Sequence, residues 1–205
     1  MTPKENKDKT SGIILAAGAS VRMGRTKQLL PVEGGILLGR VLNQALASDL
    51  DHIVLVLGHQ ANDIRAALGR LVNHPKLAIM ENIHYAQGIS SSIITGLKEA
   101  EKIYDHVMII LGDMPHIDAG LINQLLKEYL GSHLPLGAVR IGTKRSNPVI
   151  FNRRMYDELH KLKGDVGGKE LFSIYADQVC LVEPENKYDD RDIDLPEDYN
   201  DLIME

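Results

Sequence analysis

The chain has 205 residues, 44% apolar and 25% charged, with a formal net charge of −5, which is the make-up of one globular domain. The acidic balance argues against nucleic-acid binding, which rests on a basic face, and the absence of Trp with two Phe and seven Tyr weakens any reading built on base-stacking platforms. A single cysteine, Cys180, set in an apolar run, excludes disulfides and cysteine-rich metal sites. The charge is polarised: residues 1–40 hold seven Lys/Arg against three Asp/Glu, and residues 181–205 hold two against ten.

Residues 1–10 are polar, without the apolar core of a signal peptide, and are expected to form a short disordered extension before a domain spanning 11–205. No apolar stretch approaches the roughly 18–20 residues that cross a bilayer, so the expected location is the cytoplasm, without a membrane partner. Residues 11–17 are nearly all apolar, as a strand buried on both faces requires, and a polar Gly-containing loop follows from Gly18 to Lys27. A helical pattern runs from about Leu38 to Ala47, then a second buried strand over 52–58 and a helix over 62–72. Residues 77–80 read as a third strand, and Ser90 as the N-cap of a helix through Glu101. Residues 106–111 form the fourth strand, closed by Gly112-Asp113-Met114-Pro115, and Asp118 starts a helix to about Leu130. This alternation predicts right-handed crossovers and a single-domain α/β fold of three α/β/α layers around a mostly parallel sheet. Beyond Leu134 the pattern loosens: strands over 136–141 and 148–152, a helix over 153–161, a second helix ending near Tyr175 and a strand over 178–182. Asp192-Ile193-Asp194-Leu195 alternates as a strand does, and Pro196 suits the first turn of a last helix.

Ligands of open parallel sheets bind beyond the carboxyl ends of the strands. Three features fall there. The Gly18–Lys27 loop joins small residues, which expose backbone N–H groups, to Arg22, Arg25 and Lys27; it reads as an anion cradle or as a flexible turn with solvated cations. It matches neither the P-loop nor the G-x-G-x-x-G pattern. Asp113, at a strand's end, suits a hard cation such as Mg²⁺, and equally a turn. The acidic stretch Asp189–Asp194 either meets Asp113 to complete a metal site or faces water. The eight histidines show no ligand spacing and no serine sits in a nucleophile elbow, so zinc and hydrolase readings have no support.

The run Leu15-Ala16-Ala17-Gly18-x-Ser20-x-Arg22-Met23-Gly24-x-x-Lys27-x-Leu29-Leu30-Pro31 resembles the signature of MobA/MocA-type nucleotidyltransferases, GT-A-like enzymes that move an NMP from an NTP to a phosphorylated acceptor. Asn82 with Gly88-x-Ser90-Ser91-Ser92, the Asp113 turn, Asn147-Pro148-Val149, Gly164-Asp165-x-Gly167-Gly168 and Asp194-x-Pro196-x-Asp198 follow in family order, most similar to the molybdenum-cofactor cytidylyltransferase branch. The resemblance implies that Leu15, Ala16, Ala17 and Gly18 contact base and ribose, and that Arg22 and Lys27 hold the triphosphate. It further implies that Gly88 and Ser90 line the base or sugar side, and that Asp113 and Asp194 bind Mg²⁺. Asn147, Gly164, Asp165, Gly167 and Gly168 would approach the acceptor. Lys27, Arg22 and Asp113 are the implied catalytic set. Ala17, where GTP-using relatives read Gly, points to CTP. The implied acceptor is the phosphorylated pterin of the molybdenum cofactor, and a molybdoenzyme would receive the product. Two departures bear on the acceptor: Arg145-Ser146 stands where Arg-Gly is common, and Lys169 where Arg is common. Two rival readings stay open, an enzyme of the same fold acting on a sugar phosphate or phosphocholine, and a non-catalytic cofactor-binding or insertion factor.

Overall fold

A computed structural model describes residues 8–204. The elements are β1 (Thr10–Ala16), β2 (Pro31–Val32), β3 (Gly35–Ile36), α1 (Leu37–Ala47), β4 (His52–Leu57), α2 (Ala61–Leu68), β5 (Leu77–Glu81) and α3 (Ile89–Ala100). Then come β6 (His106–Leu111), α4 (Ala119–Ser132), β7 (Leu136–Ile141), β8 (Lys144–Asn152), α5 (Tyr156–His160), α6 (Lys169–Ile174), β9 (Val179–Val182) and α7 (Pro196–Met204). Seven strands form one sheet in the order β5-β4-β1-β6-β8-β7-β9, and β2 and β3 make a separate two-stranded ribbon. Strand β8 runs antiparallel to both its neighbours, while the other pairings in the large sheet are parallel.

Strand periodicity assigns the layers. Ile14, Ile53, Leu55 and Leu57 face α1, α2 and α4 in one core, while Ile13, Leu15, Val54 and Val56 face α3, α5 and α6 in the other. Covered on both faces, β1 and β4 read as unbroken apolar runs. A third, smaller cluster joins Met23, Leu30 and Leu37 to Ile193, Tyr199 and Leu202, and so ties the C-terminal segment to the loop after β1.

Four expectations change. The extension was expected to reach Thr10, but residues 1–7 lie outside the described part and Thr10 is buried as the first residue of β1. Its N–H donates to Asp51 Oδ2 at 2.9 Å, and the Lys9 carbonyl accepts from Asp105 and His106. Residues 144–147 are strand rather than loop. Pro148 has no N–H to give the ladder, so the β7–β8 register shifts there instead of the strand ending. Ser90 is not an N-cap. The helix starts at Ile89 behind Gly88, whose φ of 99° a side chain would resist. Residues 192–195 make no ladder; a single Ile193 N–H to Asp113 carbonyl bond (3.0 Å) anchors them, and the Asp198 carboxylate accepts from the N–H groups of Asp194 (2.9 Å) and Leu195 (2.7 Å). Asp118 does cap α4, accepting from Leu121 N–H at 2.7 Å.

Candidate functional site

At the carboxyl ends of β1 and β6 lies a cavity of about 330 Å³. Leu15, Ala16, Ala17 and Gly18 form one wall, Gly88 another, and Arg22, Lys27, Asp113, Asp165 and Asp194 bring charge to it. The structure thus gathers residues up to 179 positions apart in sequence (Leu15 to Asp194). Ser90 does not join them. Its side chain is buried beneath the wall with Oγ lacking a partner among the described residues, its N–H donates to the Gly164 carbonyl, and Ser92 lines the cavity in its place.

A second cavity of about 250 Å³ adjoins the first, the two sharing Ile89, Leu111, Asp165 and Asp192. Asn147, Asp165, Gly167 and Gly168 line it with Arg145, Lys169 and the aromatic faces of Phe151 and Phe172. Gly164 lines neither; its backbone instead packs against Gly88 and fixes the N-terminus of α3. Asp165 Oδ1 accepts the Ile89 N–H at 3.1 Å, so this carboxylate both caps α3 and divides the cavities. Arg145 lays its guanidinium over the Phe172 ring, 4.3 Å from the centroid, and burial lowers its pKa.

The charged centre departs from a simple division into phosphate-binding cations and metal-binding carboxylates. Lys27 Nζ pairs with Asp113 Oδ2 and, at 2.8 Å, with Asp194 Oδ1, while Arg22 reaches Asp194 Oδ2 at 2.7 Å. The two cations differ in weight. Arg22 is 71% exposed, so water and salt screen its pair to about 1 kcal/mol or less, whereas Lys27 is 14% exposed and its pairs are much less screened. Burial alone would lower the Lys27 pKa, but the Asp113 and Asp194 carboxylates outweigh it and hold the ammonium above the ordinary lysine range. Lys27 is therefore a fixed positive charge, not a base. Burial pushes the Asp194 carboxyl upward, yet Lys27 and Arg22 leave it below its usual value.

Asp192, which the resemblance does not include in the metal pair, joins Asp113 and Asp194. One carboxylate oxygen each from Asp113, Asp192 and Asp194 lies within 4.8 Å of the others. Partial desolvation, then the like charges of Asp113 and Asp194, raise the Asp192 pKa. Asp113 Oδ1 is buried with no partner among the described residues. Three convergent carboxylates, with a further buried and unsatisfied oxygen on Asp113, form the hard-oxygen donor set that a divalent cation takes, so these residues fit a metal.

Gln28, silent in the sequence, is buried in the cavity wall and donates to the Ala16 and Gly18 carbonyls. Tyr85 also lines the cavity; its hydroxyl lies 3.5 Å from His59 Nδ1 and the rings meet edge to face.

Among the described residues, no helix is long and apolar enough to cross a membrane. The model of the MobA-like NTP transferase domain matches residues 12–179. The purine catabolism protein PucB of Bacillus subtilis is 28% identical over 204 residues, covering 92% of this chain and 93% of that one. The molybdenum cofactor cytidylyltransferase of Escherichia coli is 32% identical over 113 residues, covering 55% of this chain and 56% of that protein. Rv0371c of Mycobacterium tuberculosis has the same fold, with a TM-score of 0.83 and 25% identity over 97% of this chain and 98% of that structure. The matched region holds the β1 loop, Asp113 and the Gly164–Gly168 turn, and the three-layer sheet that positions them is that of the nucleotidyltransferases. On these grounds the chain belongs to the family of MobA-like NTP transferase domains.

Proposed function

We propose that this nucleotidyltransferase transfers CMP from CTP to the terminal phosphate of the molybdenum cofactor's pterin, releasing pyrophosphate. The observation that carries the proposal is the junction of the two cavities. A small-residue loop with Lys27 and Arg22 lies on one side, an Arg145–Phe172 surface on the other, and Asp113, Asp192 and Asp194 near their meeting point.

In the reaction an oxygen of the acceptor phosphate forms a bond to the α-phosphorus, and the bond from that phosphorus to the bridging oxygen of pyrophosphate breaks. A phosphate monoester has a second pKa near ~6 and is largely dianionic at neutral pH, so the attacking oxygen needs no base. No step calls on a histidine. The difficulty is to bring two anions together and to stabilise charge gathering on pyrophosphate. Lys27, protonated and nearly enclosed, and the exposed Arg22 supply positive charge at the loop that would carry the triphosphate. Asp113, Asp192 and Asp194 would hold Mg²⁺, which when bound supplies charge neutralisation and orientation of the phosphates. Asp165, bonded to the Ile89 N–H, stands in the wall the two cavities share, so donor and acceptor are held side by side.

Two considerations favour a pyrimidine. Ala17 stands in the cavity wall where GTP-using members of the family it resembles read glycine, and the matched E. coli relative is named a cytidylyltransferase. In the acceptor cavity Arg145 and Lys169 supply positive charge for a phosphorylated acceptor, and Arg145 already occupies the Phe172 face that would attract a cationic choline.

Incubation of the purified chain with Mg²⁺, each of the four NTPs and either purified molybdopterin cofactor or a sugar phosphate, scored for pyrophosphate with CTP binding measured alongside, tests the proposal. Release with CTP and cofactor together is expected. Equal turnover with GTP would remove the argument from Ala17. CTP binding without pyrophosphate would favour the carrier reading, and release only with a sugar phosphate would move the acceptor.

A further inference from the structure

We propose that Gln28 is the positioning residue that presets the loop after β1 for an anion before any nucleotide arrives. The inference rests on the reading of this loop as the nucleotide site. Four successive carbonyls, from Leu15 at the end of β1 to Gly18 at the start of the loop, are each engaged by a donor from the protein. Leu15 accepts from Gly112 N–H at 3.0 Å and Ala17 from His59 N–H at 3.0 Å, both backbone contacts. Between them, the Ala16 and Gly18 carbonyls both accept from one side-chain nitrogen, Gln28 Nε2, at 3.3 and 3.2 Å. With all four carbonyls engaged, the peptides from Leu15 to Gly18 are held in one orientation in the cavity wall that also carries Arg22 and Lys27.

The other end of the same amide fixes the loop's far side. The Ser20 hydroxyl donates to Gln28 Oε1 at 3.3 Å and accepts the Lys27 N–H at 3.1 Å. Ser20 itself stands at φ 54°, a left-handed conformation that a non-glycine residue holds only where its surroundings impose it. Gln28 thus links the start of the loop, its strained middle and the backbone of Lys27 in one network.

Residue chemistry explains why glutamine serves here. A carboxamide carries two N–H donors and an acceptor without charge; glutamate of the same shape has only acceptors, and methionine of similar volume lacks strong donors. Gln28 is 3% exposed, so lost bonds at this place are not replaced freely by water. A glutamate would also set negative charge against two carbonyls and the incoming triphosphate.

The experiment compares wild type, Gln28→Met and Gln28→Glu as full-length protein with Mg²⁺. It measures CTP affinity by calorimetry, KM for CTP and for the acceptor, kcat, and the melting temperature. We expect Gln28→Met to weaken CTP binding by about tenfold and Gln28→Glu by about a hundredfold, as loss of hydrogen bonds and then added repulsion require. KM for CTP should rise in the same order, while KM for the acceptor stays within about twofold of wild type and kcat at saturating CTP falls much less than kcat/KM. A core-packing role alone would lower the melting temperature without this selective loss of CTP affinity. Unchanged CTP affinity in folded Gln28→Met overturns the inference while leaving the nucleotide site standing. Failure of wild type to bind any NTP overturns the parent reading instead. If Gln28→Met does not fold, Gln28→Asn decides: it keeps an uncharged amide but withdraws it by one methylene from the Ala16 and Gly18 carbonyls, and normal CTP affinity in that variant also overturns the inference.

Discussion

Lys27 concentrates the electrostatics of the site. Its ammonium already contacts two of the three carboxylates that could hold a cation, so it acts as their counter-charge in the ligand-free protein. Competition follows from Coulomb's law: a divalent ion entering between Asp113 and Asp194 meets a resident positive charge. Replacing Lys27 by Met should therefore move two measurements in opposite directions. Turnover should fall by about 10²–10³-fold, the usual effect of removing a preorganised charge from a transition state. Affinity for Mn²⁺, titrated by electron paramagnetic resonance in the absence of nucleotide, should rise, and the melting temperature should become more dependent on the ion. Weaker Mn²⁺ binding in Lys27→Met would show that the ammonium does not compete for these carboxylates. Arg22→Ala should have a smaller, salt-sensitive effect on ion affinity, because Arg22 is solvated and touches Asp194 alone among the three.

Among the elements, α3 does the most to join the two cavities. Its first turn is gripped by the Gly164–Asp165 loop through the Ser90 N–H to Gly164 carbonyl bond (3.1 Å) and the Ile89 N–H to Asp165 bond (3.1 Å). Gly88 makes that contact possible, because a Cβ there would overlap the Gly164 backbone, and its φ of 99° is itself unfavourable for a side chain. Gly88→Ala should push the loop from the helix, destabilise the fold by about 1–3 kcal/mol, and raise KM for donor and acceptor together. Thermal denaturation beside two-substrate kinetics checks this; a selective change in one KM alone would show that the wall is not shared. These elements also mark how far the sequence can be read. β1, β4 and β6 were legible because strands covered on both faces carry their pattern in their own residues, and the half-buried edge strand β5 by its short apolar run. The first half of β8 was not, since Pro148 mimics a strand end and only pairing across β7 shows the chain continuing. Lys27, Asp113 and Asp194 stood out by motif. Asp192 and Gln28 did not, because an aspartate in an acidic run and a glutamine beside a lysine acquire meaning only from neighbours brought by folding.

At the scale of the whole molecule, the sheet has two chemically distinct ends. The carboxyl ends of β1 and β6 carry the carboxylates, Lys27 and the cavities, while the amino ends of β4 and β6 begin with His52 and His106. Burial lowers the pKa of both histidines, and nearby carboxylates only partly oppose it. His106 is the better enclosed, with 7% of its side chain exposed. Its Nδ1 lies 3.0 Å from the Tyr129 hydroxyl and 3.5 Å from the Asn152 amide nitrogen, and Nε2 lies 3.6 Å from Asp8. Because the Asn152 amide can only donate, the neutral ring with its proton on Nε2 fits all three neighbours; Asp105 and Arg153, also nearby, act in opposite directions on its charge. The linkage sign follows. A histidine whose folded pKa lies below its unfolded value near 6.5 stays neutral in the fold while the unfolded chain takes up a proton, so its stabilisation is complete above about pH 6.5 and is lost as pH falls through the folded value. Denaturant midpoints of wild type and His106→Gln should accordingly be furthest apart near pH 7.5 and converge toward pH 5, with His52 leaving some acid sensitivity in the variant. A constant gap across that range would mean that His106 titrates alike in the folded and unfolded chains. Nucleotide affinity of His106→Gln at pH 7.5 should match wild type, since this end of the sheet fixes the strands and takes no part in the charge balance around Lys27.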